Sequence, residues 1–93
     1  MPYITQQERD RLDPLLQPLL YQLGTADRGV VFSRLNYVIT RLIASAWKVN
    51  QSYFRAAALS GVLTNVTTEF YRRAIIPYED KKIEENGDVE EYK

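Results

Sequence analysis

Apolar residues recur at intervals of three and four through three stretches of this chain, the pattern of helices that each turn one face toward a core. In the first stretch Leu12, Leu15, Leu16, Leu19, Leu20 and Leu23 form a broad apolar face. Thr5-Gln-Gln-Glu8 ahead of it is a capping box, in which the Thr5 hydroxyl accepts from the Glu8 amide. A helix is therefore expected over about residues 6–23. Asp13-Pro14 restarts the signal, since Asp caps well and Pro fits the first helical position. Pro18 removes a backbone hydrogen bond, so the helix should bend or fall into two pieces. Gly24 is the expected stop.

The second stretch runs from Asp27 to Val49, with Leu35, Val38, Ile39, Leu42, Ala46 and Val49 as its stripe. Asn50-Gln51-Ser52 breaks it, and Ser52 is a good cap for the next helix. A connection this short predicts that the third helix packs antiparallel to the second.

The third stretch carries Leu59, Leu63, Val66, Phe70 and Ala74, and Gly61 allows a neighbouring backbone to approach closely. From Ser52 to the Asn86-Gly87 stop it would span about 50 Å if straight. A compact domain of this size has a radius of gyration of only about 12 Å. The helix must kink, overhang into solvent or overhang onto another copy, and Pro77 supplies the kink. The fold expected is all-α: an antiparallel helical hairpin with an N-terminal helix and a proline-kinked long C-terminal helix. It forms a single domain over residues 1–93, ending in an acidic extension (residues 79–93). The overhang predicts a homo-oligomer.

Composition narrows the chemistry. No apolar run approaches the roughly 18 residues of a membrane span, and no leader pattern opens the chain, so neither membrane nor secretion is expected. The absence of Cys and His removes thiolate and imidazole metal ligands and any nucleophile dyad built on them. The formal charge is zero but uneven: residues 1–78 hold nine Lys/Arg against five acids, and residues 79–93 hold three Lys against seven. No Asp or Glu occurs between Arg28 and Thr68. Such a basic middle suits an anionic partner, or is neutralised by the acidic tail, or is simply a solvated face.

Arg34, Arg41, Lys48 and Arg55 stand seven apart, and the first three share a face of the second helix. Tyr37 lies between Arg34 and Arg41. Guanidinium grips phosphate by two bonds and tyrosine offers a flat ring, so the row suits a nucleotide. The plain alternative is a face of long stems that shield the core. Asn36 and Thr40, one turn apart, would bond sugar or base edges, or else form a hydrogen-bond network between helices. Glu69 precedes Arg72 and Arg73 at ion-pair spacing, which either ties the arginines down or holds them ready for an anion. Glu79, Asp80, Glu84 and Glu85 could suggest magnesium, as in small helical nucleotide pyrophosphohydrolases. Lys81 and Lys82 interleave them, however, and no second acidic helix faces them. No metal site, cofactor or catalytic residue is expected. Trp47 and the tyrosines read as packing and interface anchors.

The segments LNYVITRL (Leu35 to Leu42), GVL (Gly61 to Leu63), EFYRR (Glu69 to Arg73) and PYEDKKIEENGDV (Pro77 to Val89), with the opening MPYI and LDPL, cover most of the chain. Together they resemble a family of short bacteriophage and prophage proteins that commonly close on PYED…K…ENGDVY and have no assigned activity. Asn36, Tyr37, Thr40, Glu69, Tyr71, Arg72, Arg73, Pro77, Tyr78, Glu79, Asp80, Asn86, Gly87 and Asp88 match that pattern. The chain departs from it after Val89, where Glu-Glu-Tyr-Lys replaces a terminal Tyr. The resemblance implies a phage origin, a host-cytoplasmic location and a helical architecture. By analogy with small oligomeric phage proteins that sequester the nucleotide signals of bacterial defence, it also implies binding without catalysis.

The expected function is a non-enzymatic binding protein for an anionic small molecule such as a nucleotide, through Arg34, Asn36, Tyr37, Thr40, Arg41, Arg72, Arg73 and Tyr78. The alternatives are an adaptor that captures a host or virion protein through its C-terminal segment, and a magnesium-dependent nucleotide hydrolase. Nucleic acid is a weaker partner, because the acidic tail repels a long polyanion.

Overall fold

Thr5 starts the first helix as its sequence requires: its hydroxyl accepts from the Glu8 amide at 3.3 Å. The computed structural model describes residues 3–93, and no strand occurs among them. It divides into two units, one ending at Ser52 and the other beginning at Tyr53.

The first unit holds α1 (Gln6–Gly24) and α2 (Arg28–Val49). α1 runs unbroken through Pro14 and Pro18. The restart expected at Asp13-Pro14 is overridden, because a helix already nucleated at Thr5 gains more by propagating than by ending and nucleating again. The stop also differs from expectation. Gly24 is still helical, and Thr25 ends the helix, its amide donating to the Tyr21 carbonyl and its hydroxyl to the carbonyls of Tyr21 and Gln22 at 3.1 and 3.3 Å. Thr25 adopts φ −95° and ψ 0°, which needs no glycine. Asp27 then caps α2 through its backbone carbonyl, which accepts from Val30 and Val31 at 3.0 Å.

α1 and α2 pack against each other near the end where they are joined. Leu19 and Leu23 of α1 are half-buried, as are Val31, Val38, Ile43, Ala46 and Trp47 of α2. The expected stripe on α2 is therefore only partly covered. Val38 and Ala46 are sheltered, while Leu35, Ile39, Leu42 and Val49 stay exposed. The half-buried state of Trp47 agrees with a packing residue.

The second unit is one continuous helical run. α3 (Tyr53–Phe70) passes into a π-helical segment at Tyr71–Ile75, and α4 (Ile76–Asn86) comes next. In the π segment the Ile76 amide donates to the Tyr71 carbonyl, five residues back. Pro77 explains the placement: in an α-helix its ring clashes with the carbonyl four residues earlier and its missing N–H leaves that carbonyl without a donor. Winding the preceding turn wide relieves both, so the irregularity expected at Pro77 lies one turn ahead of it. The apolar spacing fits this too. Val66, Phe70, Ala74 and Tyr78 recur at fours, which drifts around an α-helix, and a π turn absorbs one extra residue and keeps them in line.

Gly87 ends α4 as expected, at φ +86°, the one described residue with positive φ, with its amide donating to the Ile83 carbonyl at 2.8 Å. A 3₁₀ turn, Glu90–Tyr92, closes the chain, with Lys93 on Glu90 at 3.0 Å. Neither unit contains a fully buried residue among those described.

Candidate functional site

Where α1 and α2 meet they enclose a groove of about 310 Å³. Leu19, Gln22 and Leu23 form one wall, and Ser33, Arg34, Tyr37 and Val38 the other. Most of this lining is apolar: leucine and valine side chains, the Tyr37 ring and the stem of Arg34. Two residues singled out from sequence, Arg34 and Tyr37, thus share one concave surface. They do so because positions three apart on a helix face the same way.

Arg41 joins them through Tyr37. Its guanidinium donates to the Tyr37 hydroxyl at 2.8 Å and lies 5.7 Å from the ring centroid. One turn of helix brings the two side chains together, and the cation over the ring adds a favourable quadrupole term. The ring is thereby held in place beside the groove with a cation fastened to its edge. Arg34 has no ion-pair partner among the described residues. No acid lies near it in sequence on α2, so its charge is locally uncompensated.

Asn36 and Thr40 stand elsewhere. At about 100° per residue they lie roughly 120–160° around α2 from Arg34. Thr40 donates to the Asn36 side-chain oxygen at 3.3 Å. The bond is within the helix and exposed, so the inter-helix network expected of this pair is replaced by a single i,i+4 link. Lys48 keeps its place on the Arg34–Arg41 face but lies two turns beyond Arg41.

Arg72, Arg73 and Tyr78 belong to the second unit, each with neighbours of its own. Arg72 pairs with Glu69 at 2.8 Å and Arg73 with the same carboxylate at 3.7 Å, as their spacing predicts. Both reach Oε1. Tyr78 lies under Lys82, whose ammonium is 5.6 Å from the ring centroid and 3.2 Å from Glu85. Tyr92 is exposed in the 3₁₀ turn. Among the described residues no group of three or more acids is placed to hold a metal ion. No helix among them is long and apolar enough to cross a membrane.

Leu19, Gln22, Leu23 and Ser33 were not singled out as site residues. A signal was available: the connection Thr25–Asp27 is so short that positions about equally far from it face each other, as Leu19 and Ser33 do on either side of Ala26.

Residues 1–89 match the model of the family described as Domain of unknown function (DUF6899), and the chain belongs to that family. No curated protein and no solved structure matches the chain.

Proposed function

We propose that this member of the family is a non-enzymatic binding protein that holds an anionic small molecule of the nucleotide class in the groove between α1 and α2. One observation carries the reading: Arg34 and Tyr37 line a single apolar groove, and Arg41 is bonded to the Tyr37 hydroxyl at 2.8 Å. A nucleotide joins a flat, weakly polar base to a charged phosphate. Leu19, Leu23, Val38 and the tyrosine ring suit the first, and the two guanidiniums suit the second. The groove volume, about 310 Å³, lies at the small end of ligand sites, which run from about 300 to 1,000 Å³.

Asn36 and Thr40, on the far side of α2, take no part in this reading. Arg72 and Arg73, already shared with Glu69, are not required by it either. With neither His nor Cys in the chain, retention of the ligand is the better-supported outcome than turnover. In a phage-encoded protein, as the sequence resemblance implies, such retention would withdraw a host nucleotide signal.

Calorimetric titration with a panel of linear and cyclic nucleotides tests the proposal. Binding is expected for at least one of them, weakened about 10- to 100-fold by Arg34→Ala, the scale of a lost charge-assisted hydrogen bond. Lys48→Ala, beyond the groove, should leave it unchanged. No heat from any nucleotide at about 100 µM protein, where micromolar binding registers, would end the proposal.

A further inference from the structure

From Ala56 to Thr68 the second unit's helix carries no charged residue. Val62, Leu63, Val66 and Phe70 are all exposed there, Val66 at 61% and Phe70 at 59%. A helix with an exposed apolar face and no charge over thirteen residues is poorly stable alone in water, because most helix stability in proteins comes from packing. Ala56, Leu59, Leu63, Val66 and Phe70 alternate at three and four, the average of three and a half that makes a seam between paired helices.

We propose that this band docks on the same band of a second copy of the chain, running antiparallel. The charges that bracket it choose the occupant. Arg55 and Glu69 stand at equal distances on either side of Val62. A two-fold interface needs a patch complementary to itself. Antiparallel alignment centred on Val62 sets Arg55 of each copy against Glu69 of the other, so the pair forms at both ends. Glu69 can take the extra donor, since a carboxylate offers about four acceptor positions and Arg72 and Arg73 are bound at its Oε1. The same alignment brings Leu59 within about one residue's rise of Val66 and Ala56 within about two of Phe70, so that smaller side chains lie near larger ones.

A parallel pair would do the reverse. It would stack Arg55 on its own copy at one end of the band and Glu69 on its own copy at the other, a like-charge penalty at both ends.

Sedimentation equilibrium on the full chain should give a dimer mass that falls to monomer on dilution. Arg55→Glu and Glu69→Arg should each weaken association by about 10-fold or more, and the double reversal should recover most of the loss. The orientation is read by cross-linking, because the chain has no cysteine of its own. Leu63→Cys, at the two-fold, should cross-link to its copy. Ala56→Cys should not, its copies being about 20 Å apart along the axis. A monomer mass at about 100 µM, where even weak pairing registers, overturns the proposal. So does self-cross-linking of Ala56→Cys in a helical protein, or a double reversal no better than either single change.

Discussion

The first unit places one helix against another and gains a groove with chemically distinct walls. The second holds no partner helix within itself, and the side-chain ion pairs Glu69–Arg72, Glu69–Arg73, Lys82–Glu85 and Glu90–Lys93 all run along the chain, three or four residues apart. The two units also handle charge differently. The first spreads cations along α2, where Arg41 ties to a tyrosine and not to an acid. The second sets an uncharged band, Ala56 to Thr68, between Arg55 and a densely charged remainder. A helix pair can form a binding surface from its own residues, because two faces converge. A lone helix can offer only a face, and what it does depends on what meets that face.

Three substitutions press on this contrast. The largest effect is expected from Val66→Asp, which puts a charge in the middle of the uncharged band. Val66 is exposed on the helix itself, so the cost falls on the pairing proposed above, where an unpaired charge beneath a second copy costs about 3–5 kcal/mol. Hydrogen exchange should show protection lost across residues 53–86 and kept across 6–49; equal loss in both units would erase the distinction between them. Leu23→Ala acts on the other side of the comparison. Leu23 is half-buried in the groove wall, so its truncation should cost about 1–2 kcal/mol, below the range for a full core leucine, by denaturant titration. Its exchange effect should stay within residues 6–49. Smallest in extent is Gly87→Ala, which forces a side chain into φ +86° and ψ 163°, a region essentially confined to glycine, for about 1–3 kcal/mol. The change should fray the last turn of α4 and leave α3 unaltered, as backbone NMR shifts would register.

The sequence made the helices and most of their ends legible, because caps are local chemistry: Thr5 with Glu8, the break at Asn50, and Asn86-Gly87 each act within a few residues. Where two local signals competed, the reading of Asp13-Pro14 failed, since cooperativity within an established helix outweighs a second start. The π segment was only half visible. Pro77 announced a disturbance, but no residue type specifies a bond five residues back, and the run of fours from Val66 to Tyr78 was the better clue. The candidate site was legible as a face of α2 and not as a groove. Periodicity within one helix says which residues point together. It does not say which of them the neighbouring helix will cover, and so Leu35 and Leu42 stay exposed while Val31 and Val38 are sheltered.

The wide turn at Tyr71–Ile75 has a consequence for how the chain can change. Because it holds one residue more than an ordinary turn, losing a single residue there would leave a regular helix, not a broken one. Everything downstream would then keep its bearing, whereas rewinding the same five residues as α-helix would swing it by about 100° around the axis, with Tyr78, Lys82 and the acids of α4 keeping their order and taking a new direction. The compass setting of the acidic end is thus written upstream of it, in five residues that carry none of its acids.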